Sequence, residues 1–182
     1  MALARALGSR WDAVNAEHLA VLRQAVEAHD GVPVRTEGDA LFAVFPEARA
    51  AVSAAIAAQR AMTDHPWPAD ARVQVRMGLH SGEAHLAGDD YGGFEVNRAA
   101  RIAATGHGGQ IILSGTTREL VADALPADAM IRELGRHALK DLPHPEALYQ
   151  LDAPGLRSEF PPLRTGAAVI GDLPERMTCS RR

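Results

Sequence analysis

Three placements in this sequence combine residue types and spacing that suit chemistry. Asp39 follows Gly38 in Glu37-Gly38-Asp39-Ala40, between two short runs rich in β-branched and aromatic residues. A carboxylate at such a tip projects from the backbone and suits a hard cation such as Mg²⁺, although Gly-Asp is equally ordinary turn chemistry. Asn97 and Arg101 stand four residues apart in Val96-Asn97-Arg98-Ala99-Ala100-Arg101. On a helix they share a face, and a planar guanidinium beside an amide suits a phosphate next to a sugar oxygen. The same pair also fits a solvated helix face. Lys140, in Ala138-Leu139-Lys140-Asp141-Leu142, sits between apolar positions near the start of a closing hairpin, where an ammonium reaches a phosphate or simply covers surface.

The elements that must position these residues are legible from period and punctuation. Apolar residues at helical spacing (Val14, Leu19, Leu22, Val26) predict a helix from Trp11 to His29, stopped by Asp30-Gly31. Val32–Thr36 and Leu41–Phe45 predict a hairpin with Asp39 at its tip. Pro46 then opens an alanine-rich helix from Glu47 to Met62, ended by His65-Pro66-Trp67-Pro68. Val73–His80 and Gly82–Leu86 read as two strands of one sheet, followed by the glycine-rich loop from Ala87 to Gly93. Phe94–Ala104 is helical by period, and Gln110–Leu113 is a short buried strand. Ser114 caps a helix through Ala122, and Met130–Leu139 with Ala147–Leu151 close the domain as strands. The order α, ββ, α, ββ, α, β, α, ββ predicts an α+β fold, helices packed on one mostly antiparallel sheet. Past Pro154 periodicity fades, so residues 1–152 are expected to form the domain and 153–182 an irregular tail or linker.

Composition narrows the class further. A chain of 182 residues with 47% apolar content has enough to build one core. The net charge of −4, with Lys and Arg scattered, argues against a nucleic-acid surface. The single cysteine, Cys179, excludes an internal disulfide framework, and no run is long and apolar enough for a membrane helix, so a soluble cytoplasmic protein is expected.

Met77-Gly78-Leu79-His80-Ser81-Gly82-Glu83-Ala84, then Asp90-Tyr91-Gly92-Gly93, then Val96-Asn97-Arg98-Ala99-Ala100-Arg101 resemble, in types and loop lengths, the class III adenylyl and guanylyl cyclase catalytic domain, especially small bacterial versions. The resemblance covers about residues 10 to 152. It implies a ferredoxin-like cyclase fold and a head-to-tail homodimer whose sites form across the interface. It also implies conversion of ATP to cyclic AMP and pyrophosphate, assisted by two Mg²⁺ or Mn²⁺ ions. By the same resemblance Asp39 looks like the second metal aspartate, Asp90 like the acceptor for the adenine amino group, and Lys140 like a triphosphate contact. Asn97 looks like the ribose-orienting residue, and Arg101 like the group that stabilises charge as the 3′-oxygen attacks the α-phosphorus. A carboxylate at Asp90 favours adenine, since guanine presents a carbonyl oxygen at that edge.

The sequence departs from the family pattern in several places. The family begins with a strand and a Phe-Thr-Asp-type motif carrying the first metal aspartate, and Met1 falls after it. The expectation is therefore a start that lies further upstream, or a shortened product with unpaired neighbouring strands. Arg35 stands where adenylyl cyclases usually read the base with a lysine. Ala40 replaces a frequent glycine, and Phe94-Glu95 replaces small residues, both read as drift. A catalytically silent, cyclase-like regulatory module is the competing reading. A diguanylate cyclase is disfavoured because Gly92-Gly93-Phe94-Glu95 is not that family's signature.

Overall fold

A computed structural model describes residues 2–87, 90–165 and 168–169. A short helix α1 (Ala2–Leu7) leads through a single 3-10 turn into α2 (Trp11–Glu27). The α2 helix ends where the sequence says it must: Asp30 adopts φ 58°, and the Gly31 N–H returns to the Val26 carbonyl at 3.0 Å. Gly31 is required there, because a Cβ would lie 2.3 Å from the Phe45 ring. Strands β1 (Val32–Glu37) and β2 (Ala40–Val44) then pair antiparallel as the expected hairpin, and α3 (Ala48–Asp64) follows.

The main sheet has the order β3-β6-β8-β7-β9. It comprises β3 (Met77–Leu79), β6 (Ile111–Ser114), β7 (Met130–His137), β8 (Glu146–Asp152) and β9 (Ala168–Val169). β3 runs parallel to β6 and the remaining pairs are antiparallel. The helices that complete the chain are α4 (Phe94–Thr105) and α5 (Gly115–Val121), the latter capped by Ser114 Oγ accepting from the Thr117 N–H at 3.2 Å. Alternation along β6 sorts the core. Ile111 and Leu113 pack with Val52 and Ile56 of α3, whereas Ile112 packs with Ile102 of α4 and Leu148 of β8. Helices therefore cover both faces of β6, which explains why all four of its residues are buried.

Two expectations need correction. The strand expected over 73–80 reduces to three residues; the Val75 carbonyl before it accepts from Gln59 Nε2 at 2.9 Å and from the Gly109 N–H at 2.7 Å. The next strand does not share its sheet. β4 (His85–Ala87) instead pairs antiparallel with β5 (Asp90–Gly92), placing part of the expected glycine-rich loop in a separate two-stranded ribbon.

Among the described strands, β2 carries a ladder only on its β1 side and β3 only on its β6 side. Both line one cavity of about 1420 Å³, walled largely by alanine and aliphatic side chains of α2, α3 and α4. Asn15 Oδ1 and His18 Nδ1 are buried at this cavity without a hydrogen-bond partner. Beyond Pro154 the chain to 165 has neither helix nor strand, but it bonds back to the domain. The Thr105 carbonyl accepts from the Arg164 N–H at 2.8 Å, and Leu163 joins the cluster around Ile102. No helix among the described residues is long and apolar enough to cross a membrane.

Candidate active site

The hairpin tip is fixed from below by α2. Gly38 takes φ 64°, where L side chains are disfavoured. Its carbonyl accepts from Asn15 Nδ2 at 3.3 Å, and the Asp39 carbonyl lies 3.0 Å from His18 Nε2, which must donate to it. The tip backbone is thus pinned while the Asp39 carboxylate stays exposed. Among the described residues no group of three His, Cys, Asp or Glu gathers there or elsewhere to hold a metal ion.

Arg35 links this hairpin to the ribbon. Its guanidinium stacks over Phe42 at 4.8 Å from the ring centroid, its Nε donates to Glu37 Oε1 at 3.2 Å, and a terminal nitrogen donates to the Tyr91 carbonyl at 3.1 Å. The structure thereby brings Arg35 to the strand that begins with Asp90, whose side chain lies outside the described residues.

A second group forms on α4. Asn97 is exposed and Arg101 half-exposed, one turn apart on the outer face, while Ile102 is fully buried on the inner one. Arg101 donates to Asp141 Oδ2 at 2.5 Å. Asp141 has φ 64° in a turn closed by the Leu142 N–H bonding the Leu139 carbonyl at 3.2 Å, so the ion pair draws the turn carrying the exposed Lys140 alongside Arg101. The ion pair between residues 40 positions apart thus brings the turn that carries Lys140 to the helix that carries Asn97 and Arg101.

Two residues that sequence reasoning passed over are His80 and Glu95. His80 Nε2 contacts Glu95 Oε2, and its Nδ1 lies 2.9 Å from Ser114 Oγ. Glu95 is therefore a partner of a buried imidazole rather than drift. Only the structure shows the link: a Cβ at Gly82 would come within 2.9 Å of the Glu95 side chain.

An α+β domain with a parallel β3–β6 pair inside an otherwise antiparallel sheet defines the class, and comparison defines the family. The model of the adenylate and guanylate cyclase catalytic domain matches residues 10–152, and the chain belongs to that family. A Mycobacterium tuberculosis protein of uncharacterised function is 44% identical over 158 residues, covering 85% of this chain and 53% of the relative, so the chain spans about half the length of the curated relatives it matches. Among solved structures, an adenylate cyclase from Trypanosoma brucei superposes with a TM-score of 0.77 at 23% identity, over 90% of this chain and 87% of that one. An adenylate/guanylate cyclase/hydrolase from Silicibacter pomeroyi gives a TM-score of 0.68 at 28% identity, over 81% of this chain and 88% of that one.

Proposed function

We propose that this chain is an adenylate cyclase domain that converts ATP to cyclic AMP and pyrophosphate as a head-to-tail homodimer. The observation that carries the reading is the α4 region, where Asn97, Arg101 and the turn bearing Lys140 lie together. In this reading Asn97 orients the ribose and Lys140 holds the triphosphate. Arg101 leaves Asp141 for the α-phosphate, where it stabilises negative charge as the bond from the 3′-oxygen to phosphorus forms and the bond to pyrophosphate breaks. Preorganised donors of this kind are worth roughly 10²–10³ in rate each. Asp90 accepts from the adenine amino group, and Arg35, held beside it through the Tyr91 carbonyl, supplies the donor that lysine gives in relatives.

Class III cyclases are metal-dependent in general, with Mg²⁺ or Mn²⁺ the ions expected here. Asp39 offers one carboxylate, and the described residues do not complete a two-metal site around it. The one-sided ladders of β2 and β3 among the described strands are the specific support for a second reading, a cyclase-like module that binds nucleotide or dimerises without turnover.

The test is cyclic nucleotide formation by the purified chain with ATP or GTP and Mn²⁺ or Mg²⁺, run beside Asp39→Ala and Arg101→Ala. Activity with ATP that both substitutions abolish supports the cyclase. A folded chain that is silent alone, but active when extended by upstream sequence, locates the deficit in the sheet between β2 and β3. Silence of both forms favours the regulatory module.

A further inference from the structure

Helix α4 has Gly93 as its N-cap, with no side-chain cap, and its first turn is fastened instead through a side chain of that turn. Glu95 provides the fastening. The buried His80 imidazole, 2% exposed just beyond β3, contacts the Glu95 carboxylate through Nε2. A carboxylate only accepts, so Nε2 donates to Glu95, while Nδ1 lies within hydrogen-bond distance of Ser114 Oγ at 2.9 Å. Ser114 in turn caps α5. The order serine, histidine, glutamate is that of a hydrolytic relay, but Ser114 is fully buried and occupied as a cap, so no substrate reaches it. The relay is a strut. On its far side Glu95 lies 3.4 Å from an Arg98 terminal nitrogen, and Arg98 Nε lies 3.7 Å from the carboxylate of Glu146 on β8.

Two glycines make room for it. A Cβ on Gly82 would fall 2.9 Å from Glu95 and 3.1 Å from His80 Nε2, and a Cβ on Gly78 would fall 2.4 Å from the Ala103 backbone nitrogen. The helix therefore lies directly on β3 at its later turns and is bolted to the end of that strand at its first. Glu95, Arg98 and Ile102 form the inward stripe, and Asn97 with Arg101 the outward one. Because both stripes belong to one rigid cylinder, a roll of about 20° moves groups at its roughly 5–6 Å radius by about 2 Å, more at the end of a long side chain. Misplacement of about 1 Å costs a catalytic constellation on the order of 10²-fold.

Resting on the cyclase reading, we infer that His80 and Glu95 are positioning residues for the reaction: the buried pair, anchored through Ser114, sets the roll of α4 and with it the places of Asn97 and Arg101. The experiment measures kcat and KM for ATP together with amide hydrogen exchange at 97–101 in the wild-type chain, Glu95→Ala and Glu95→Gln. Glutamine keeps an acceptor oxygen for Nε2–H. The expected result is a kcat at least about tenfold lower in Glu95→Ala with KM within about threefold, faster exchange at 97–101, and recovery of both in Glu95→Gln. Wild-type kcat in Glu95→Ala, a loss confined to KM, or unaltered exchange overturns the inference. If Glu95→Ala does not fold, Glu95→Asp, whose carboxylate falls one methylene short of the imidazole, is read by the same criteria. If only the upstream-extended form of the wild-type chain is active, kinetics are read in that form; if neither the wild-type chain nor its extended form makes cyclic nucleotide, the cyclase reading is what fails. Exchange at 97–101 then decides by itself whether the pair holds α4: faster exchange in Glu95→Ala sustains the strut, and unaltered exchange removes it.

Discussion

The β6 half of the molecule and the β1–β2 hairpin are built to different standards. β6 is paired on both edges and covered on both faces, and its four residues are buried. The hairpin carries one ladder, its strand residues are half-buried or exposed, and it borders the cavity of about 1420 Å³. The residues assigned to chemistry are split between them. Asn97, Arg101 and Lys140 are carried by elements packed against the sheet, whereas Asp39 and Arg35 ride on the hairpin, held by a few side-chain hydrogen bonds. Firm and incomplete support are thus divided between the two groups of proposed site residues, and the firmly held group is the one that the proposed function assigns to transition-state charge.

Several measurements break or sharpen this contrast. The largest effect is expected from Arg101→Ala, a loss of about 10²–10³ in kcat for cyclic AMP formation; an equal loss in Asp39→Ala would show that the loosely held half matters as much to turnover. Next comes stability in urea. Ile112→Ala, fully buried in β6, is expected to cost about 2–5 kcal/mol, against about 1 kcal/mol for Val44→Ala in the hairpin. Equal costs would mean that the two halves unfold from equally tight packing.

Amide exchange should follow the same division. Strands β1 and β2 are expected to exchange at least about tenfold faster than β6 and β8, since opening the hairpin exposes little core. A smaller effect is expected at Asp141, which in the proposed function competes with phosphate for Arg101. Asp141→Asn should improve turnover or KM by about twofold to fivefold, the range of an exposed ion pair, and no change would mean that Arg101 already leaves Asp141 freely.

The smallest effect lies on the surface. Arg10 donates to both oxygens of Asp70, and this hydrogen bonding holds the Asp70 carboxyl below its usual range. A carboxylate depressed in the folded state contributes stability above its unfolded pKa of about 3.9, and loses it as pH falls through the lower folded value. Because both groups are exposed, Asp70→Asn should leave the melting temperature at neutral pH nearly unchanged and only slightly soften the acid limb of the profile.

Local pattern carried much of this protein. The helical period of α2, its stop at Asp30-Gly31, the hairpin around Gly38-Asp39 and the four-residue spacing of Asn97 and Arg101 are all short-range, so the sequence alone determined them. What escaped it depended on groups brought from afar. The strand stopped short of Val75, whose carbonyl accepts from Gln59 on α3 as well as from the Gly109 N–H. Glu95 looked like drift because its partner His80 lies 15 positions away, and Arg101's hold on the Lys140 turn runs through Asp141, 40 positions on. Alternation and turn chemistry act between neighbours and are written in order along the chain. Whether a polar group is satisfied, and which face of a helix is bolted down, is decided only when packing chooses its partners, and that choice belongs to the tertiary structure.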